Sequence, residues 1–383
     1  MEVPQYKFFT PTRLIFSAGC AEEVGNWVKL LEGKRVLIVT DEGIVQAGLV
    51  DSIVKNIEKA GLEATLYSGV QENPTVQNVH EGRDLIAANE IDALVALGGG
   101  SPMDAAKAMA VLSVHEGGIT EYELGFKPFK NKGPSVVAMP TTAGTGSEAT
   151  MGAVITDPES HRKIDVVSPL MAPTVSLVDP QLTVSLPPNI TAATGMDALT
   201  HAIEGYTATL ASPLTDALHE KSIRLLGKYL LTAFETGGDM EARSNVMMAS
   251  MITGVGFPNS GLGSVHGLSM PLGGHFDIPH GVANAILLPH VMQYNLEACE
   301  SKFRNITQFL GEKGKDPQGA VDAIFKMRAS LGIPNLSSFD MKDDSIPMLA
   351  RDALGRNTNC ATNPREMKES DAEAVYRVAL QEH

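Results

Sequence analysis

The chain has 383 residues, 43% of them hydrophobic, enough for a sizeable core spread over roughly two to three domains. Forty-five acidic against thirty basic residues leave a formal net charge of −15, which argues against nucleic acid or an anionic membrane as a main partner. Cys20, Cys299 and Cys360 are odd in number and far apart, which excludes a thiolate zinc knuckle and points to free thiols in a reducing compartment.

The opening stretch MEVPQYKFFTPTRLIFSAG has no basic region followed by an apolar run. No segment approaches the roughly 18 apolar residues of a membrane span, so a cytoplasmic protein is expected. RVLIVT (35–40) is a short β-branched run and reads as a buried parallel strand. A helical pattern follows from Ile44 to Lys59, then a strand EATLY (63–67) and a helix over 75–90. DALVAL (92–97) and SVVAMP (135–140) are further strands. This alternation predicts βαβ units and a Rossmann-like parallel sheet. After Pro187-Pro188 strand-like runs nearly vanish and long helical patterns take over. The expected division is a nucleotide-type α/β half over 1–185 and an all-helical half over 186–383, with a ligand expected in the cleft between them.

In LGGGSPMDAA the strand ending at Leu97 runs into Gly98, Gly99 and Gly100. Ser101 is placed to cap a helix and Pro102 to start it. Such a turn offers free N–H groups and a helix dipole to a pyrophosphate, although a plain chain reversal fits three glycines equally well. Asp41, at the carboxyl end of the first clear strand, can accept both ribose hydroxyls of an adenosine and would repel a 2′-phosphate. PTTAGTGSEAT (140–150) follows another strand and is rich in small donors. Three such turns after strands of one sheet point to one nucleotide crevice.

In TAATGMDALTHAIEGY (191–206), Asp197 and His201 are four apart and share one face of an apolar helix. They could satisfy each other, cap a neighbour, or ligate a metal. SVHGLSMPLGGHFDIPHG (264–281) adds His266, His275 and His280 in an apolar, glycine-rich setting. Asp197, His201, His266 and His280 together make a three-nitrogen, one-oxygen set suited to Zn²⁺ or Fe²⁺.

GMDALTHAIEGY and VHGLSMPLGGHFDIPHGVANAILLPHVM resemble the iron-containing, group III alcohol dehydrogenase family. GGGSPMDAAKA, PTTAGTGSEAT and DPQLTVSLPPNITAATGMDAL resemble its other segments, so the likeness runs from about residue 8 to TNPR at 362–365. The resemblance implies a dehydroquinate synthase-like fold, a nicotinamide cofactor and one catalytic divalent metal, iron first and zinc second. It implies reversible hydride transfer between a small alcohol, or its aldehyde, and NAD, and a homodimer or larger homo-oligomer. Asp197, His201, His266 and His280 correspond to the family's metal ligands. Asp41, Asn73, Gly99, Ser101, Thr141, Thr142 and Lys163 correspond to nucleotide contacts.

The sequence departs from the family at Met270, where many members carry a second histidine near the nicotinamide. A thioether cannot relay a proton. Either the alcohol proton leaves by a ribose hydroxyl and water while Met270 lines an apolar pocket, or His275 substitutes from another direction. Gly152 stands where some relatives have a larger polar residue, so room for larger alcohols is expected there. His290 reads as a structural helix histidine. The competing activities are a glycerol dehydrogenase-like zinc enzyme acting on polyols, a dehydroquinate synthase-like lyase, and a non-catalytic metal-stabilised binding protein. The lyase is disfavoured because no basic cluster surrounds the ligand segments.

Overall fold

A computed structural model describes residues 5–160, 162–355 and 359–382. The chain forms two compact units, one spanning Thr10–Ser185 and the other running from Leu186 onward together with the segment that ends at Phe9. The second assignment differs from a plain division at residue 185. Phe9 N donates to Asn259 Oδ1 at 2.7 Å, and Asn259 Nδ2 donates to Phe9 O at 3.1 Å, which ties this segment to the helical unit.

The first unit runs β1 (Arg13–Phe16), α1 (Val24–Leu30), β2 (Arg35–Val39), α2 (Glu42–Gln46), α3 (Leu49–Lys59), β3 (Glu63–Tyr67) and α4 (Val76–Ala88). It continues with β4 (Ala93–Gly98), α5 (Gly100–Leu112), β5 (Ser135–Pro140), the β6 (Gly152–Asp157) and β7 (Arg162–Val167) hairpin, and β8 (Val175–Val178). The six-stranded sheet has the order β1-β8-β5-β4-β2-β3 with every pairing parallel. After Arg35 and Ser135, the first residues of β2 and β5, its central strands are apolar because helices cover both faces. Val36, Ile38, Val95 and Leu97 pack with α1 and α3 residues on one face, while Leu37, Val39, Leu94 and Ala96 pack with α5 on the other. The helical pattern expected over 44–59 is broken into α2 and α3 at Gly48, whose φ of +73° belongs to the left-handed region that glycine reaches at little cost.

The second unit is helical: α6 (Pro188–Thr207), α7 (Pro213–Glu235), α8 (Met240–Ser260), α9 (Ser264–Phe276), α10 (His280–Asn295), α11 (Glu300–Phe309), α12 (Gln318–Ser330), α13 (Ile346–Gly355) and α14 (Glu369–Gln381). The α6 helix is buried from Gly195 to Thr207 and packs against α7, α8 and α10. Part of its contact with α7 and α8 is made by the wholly buried His219 of α7. The ring fills notches left by Gly205 and Gly256, and its Nε2 pairs with Ser260 Oγ at 3.1 Å. Burial pushes its pKa down to about 3, so the ring is neutral. Among the described residues, no helix is long and apolar enough to cross a membrane.

Candidate active site

Asp197 and His201 lie one turn apart on α6, where the surrounding apolar residues force both side chains into the interior. His266 sits in the first turn of α9, and His280 is the first residue of α10. Asp197, His201 and His266 offer ligand atoms that all lie within 4.8 Å of one another, and His280 approaches the Asp197 carboxylate from a third helix. Asp197 Oδ1 lies 3.8 Å from His201 Nδ1, 3.8 Å from His266 Nε2 and 3.7 Å from His280 Nε2. These separations are within a few tenths of an ångström of the roughly 3.4 Å edge of a tetrahedron with bonds of about 2.1 Å. The side chains of Asp197, His201 and His266 are almost fully buried, whereas 35% of the His280 side chain is exposed. A buried carboxylate facing three imidazole nitrogens is a donor set that fits a divalent transition-metal ion.

Two further residues complete this cluster, and neither stands out in the sequence. Glu204, on α6, accepts from Val265 N at 2.6 Å through Oε1. Its Oε2 meets His266 Nδ1 at 2.5 Å. One carboxylate therefore takes an orphan donor of the α9 first turn and also holds the His266 ring. An acceptor on Nδ1 keeps the proton there and leaves the Nε2 lone pair facing Asp197. Asn284, one turn past His280 on α10, places Nδ2 2.7 Å from Asp197 Oδ1. The available sequence signal for both was helical spacing: Glu204 follows His201 by three, and Asn284 follows His280 by four.

The α/β unit gathers the other predicted residues. The chain leaves β2 for β3 on one side and returns to β4 on the other, so strand order reverses between β2 and β4. Ligands of open parallel sheets bind outside the carboxyl ends at such a point. Asp41 follows β2, the glycine turn follows β4, and Thr141 and Thr142 follow β5, the strand next to β4. Thr141 N donates to Gly98 O at 2.9 Å. Gly98 has a φ of +150°, and a Cβ there would press on Pro102 at 2.6 Å, so the turn requires glycine.

The helix begins earlier than the sequence suggested. Gly99 is the cap residue, and Ser101 lies inside the first turn with its hydroxyl donating to Glu72 O. Asp104 meets Lys107 Nζ at 3.0 Å, accepts from Ser147 Oγ at 2.6 Å and from Val154 N at 2.9 Å. The wholly buried Lys107 also donates to Ser147 Oγ at 2.6 Å and Thr150 Oγ1 at 3.1 Å. This ion pair fixes the donor-rich loop after β5 against α5. Beside it, burial pushes the Glu148 carboxyl up to about 7, against the pull of its own backbone N–H and of Lys107. Lys163, on β7, donates to Asn73 Oδ1 at 2.9 Å, and Thr156 N donates to Pro74 O at 2.7 Å, so the hairpin is tied to the loop before α4. Asp41 itself is the N-cap of α2, accepting from Ile44 N at 3.0 Å.

The family model for iron-containing alcohol dehydrogenases matches residues 11–180, and that for the C-terminal part of the Fe-containing alcohol dehydrogenase family matches residues 191–380. The chain belongs to the iron-containing alcohol dehydrogenase family. It is 38% identical to the 1,3-propanediol dehydrogenase of Citrobacter freundii, covering 99% of this chain and 100% of that protein. A crystal structure of 1,3-propanediol oxidoreductase superposes with a TM-score of 0.95 at 38% identity, covering 98% of this chain and 100% of that one. Sulfoacetaldehyde reductase from Bifidobacterium kashiwanohense, solved in complex with NAD⁺, gives a TM-score of 0.92 at 30% identity, covering 99% and 100%. As a member of this family, the chain is an oxidoreductase acting on CH–OH groups.

The remaining predicted residues of this alcohol dehydrogenase fall as follows. His275, near the end of α9, does not join the four-residue cluster; its Nε2 meets Asp352 Oδ2 on α13 at 2.7 Å, and both side chains are substantially exposed. Met270 lies one turn after His266 and is half-buried. Gly152 opens β6, and a Cβ there would make ordinary contact with Val167 at 3.4 Å, so packing does not demand glycine. His290 on α10 meets Glu382 Oε2 at 3.1 Å, and Arg328 also reaches Glu382, so this histidine helps to anchor the end of the chain.

Proposed function

We propose that this chain catalyses reversible, NAD-linked interconversion of a small primary alcohol or diol and its aldehyde, with one divalent cation, Fe²⁺ ahead of Zn²⁺, held by Asp197, His201, His266 and His280. The observation that carries the reading is the convergence of three imidazole nitrogens on Asp197 Oδ1 at 3.7–3.8 Å. A cation there supplies Lewis acidity toward an alcohol or carbonyl oxygen, and NAD supplies the hydride acceptor. The chain's own residues do the rest. Glu204 holds the His266 proton on Nδ1. Phe257, stacked on His201 at 4.6 Å, screens that ring from water. His280 marks the side from which a small molecule arrives, since it alone of the four is substantially exposed.

The α5 N-terminus and Gly98, Gly99 and Gly100 receive the pyrophosphate, with Ser101, Thr141 and Thr142 beside them and Asn73 and Lys163 as a paired polar contact. Asp41 receives the ribose hydroxyls and favours NAD over NADP. Met270 offers no titratable group, so a ribose hydroxyl of bound NAD, together with water, would supply the acceptor for the alcohol proton. The Asp352 partner of His275 supports this route over a relay at His275. Gly152 leaves room for substrates beyond the smallest alcohols. Cys20, Cys299 and Cys360 are free thiols, which supports a protein of a reducing compartment such as the cytoplasm. The family likeness supports a homodimer or larger homo-oligomer, which sedimentation velocity measures.

The test is anaerobic purification, metal analysis, and absorbance at 340 nm with NAD or NADP across primary alcohols and diols. A metal-dependent rise is expected, larger with NAD, and larger with longer alcohols or diols than with ethanol. No signal from metal-loaded protein across a broad alcohol and aldehyde panel refutes the reading.

A further inference from the structure

Asn284 is wholly buried on α10 and sits among residues of three helices. Its Nδ2 is 2.7 Å from Asp197 Oδ1 on α6, 3.2 Å from His266 Nε2 on α9 and 3.1 Å from His280 Nε2 on its own helix. The shortest of these is a charge-assisted contact to a carboxylate, and it falls on the oxygen from which the three imidazoles are equidistant to within 0.1 Å. The other end of the same amide, Oδ1, is buried and has no hydrogen-bond partner among the described residues. A leucine would fill this volume without burying an unsatisfied oxygen. The polar side chain is therefore accounted for by what its nitrogen does, and not by packing.

We propose that Asn284 is a positioning residue of the metal centre. Its N–H fixes the direction of the Asp197 carboxylate and locks α10 to α6 at the ligand atoms, so that it sets how tightly the site holds its cation. This rests on the reading of Asp197, His201, His266 and His280 as a metal site. A carboxylate hydrogen-bonded by an amide cannot rotate freely, and it is a weaker, more directed donor than a free one. Outer partners of this kind govern affinity by roughly 10–100-fold.

The experiment compares Asn284→Leu and Asn284→Ala with the wild-type enzyme. Affinity for Zn²⁺ and Co²⁺ is read by chelator competition, the Co²⁺ site by visible absorption, and integrity by NAD binding and thermal melting. The leucine variant keeps the volume and removes the donor, so affinity should fall about 10–100-fold with a changed Co²⁺ spectrum while NAD binding persists. The alanine variant leaves space for a water to restore the donor, so it should lose less affinity than the leucine variant. A packing role gives the opposite order, since alanine opens a cavity, and that order overturns the proposal. Affinities within twofold of wild type with an unchanged spectrum overturn it as well. If the leucine variant does not fold, Asn284→Met, which also keeps the volume and removes the donor, takes its place in the comparison with Asn284→Ala, and the same two orders support or overturn the proposal. A wild-type protein that binds neither ion overturns the metal-centre reading itself, and this inference with it.

Discussion

Glu204→Gln is the most informative single substitution at the cluster. Both carboxylate oxygens act as acceptors, Oε1 for Val265 N at 2.6 Å and Oε2 for His266 Nδ1 at 2.5 Å. A glutamine has the same shape and one acceptor fewer, so one of two things must happen. If its oxygen stays on His266, the buried Val265 N–H faces an NH₂ group, and an unsatisfied buried donor costs about 1–3 kcal/mol of stability. If its oxygen turns to Val265, the NH₂ group faces Nδ1, which must become an acceptor. The ring proton then moves to Nε2, and His266 is lost as a donor to the cation. Metal affinity then falls at least by the roughly 10–100-fold seen for outer partners. The first outcome lowers the melting temperature of the helical unit by several degrees, at about 2–4 °C per kcal/mol for a unit of this size. The second appears in chelator competition. The variant is expected to show one or both. Melting within 1 °C and affinity within twofold of wild type, both roughly the noise of such assays, refute the tautomer argument.

Four further outcomes are expected. Asp41→Asn keeps the α2 cap but removes the charge, so NADP should be accepted better relative to NAD with melting unchanged; an unaltered kcat/KM ratio for the two cofactors counts against a ribose contact. The Glu148 carboxyl rises from 4.5 to about 7 on folding, so the folded state binds the extra proton between those values and stability falls as pH rises through them. Glu148→Gln should therefore melt higher than wild type at pH 8, by up to roughly 3 kcal/mol of stability, with the gap closing towards pH 4.5; equal pH slopes contradict this. Gly205→Ala drives a methyl group into the His219 ring and should cost about 1–3 kcal/mol, with most of that loss absent in a His219→Ala background. His275→Ala should leave turnover and metal content unchanged, because the ring is occupied by Asp352; abolished turnover with intact metal restores it as the relay.

What the sequence disclosed follows from how each feature is encoded. The buried strands β2, β4 and β5 are continuous apolar runs, because a parallel sheet covered on both faces asks nothing polar of them. The Asp197–His201 pair is visible because two polar residues at helical spacing in an apolar helix need a reason. The β6–β7 hairpin carries no compact two-residue turn signal, and β1 is a half-exposed edge strand, so neither stands out as a strand in the sequence. The cap of α5 was misplaced because Ser-Pro is a strong local start signal, whereas the actual start is set by the backbone of Gly98 and Gly99. Glu204 and Asn284 were missed because a lone Glu or Asn within a helix is ordinary. Their meaning comes only from partners 62 and 87 positions away.

That separation also decides when the cluster comes into being. Asp197 on α6 and His266 and His280 on later helices meet only after most of the helical unit has collapsed, so no short peptide from this chain contains a competent set. The cation therefore behaves as a ligand of the finished fold and not as a template for it. It will add to stability by mass action, about 2.7 kcal/mol at a hundred times its dissociation constant, and heat resistance will track the free ion concentration in the buffer.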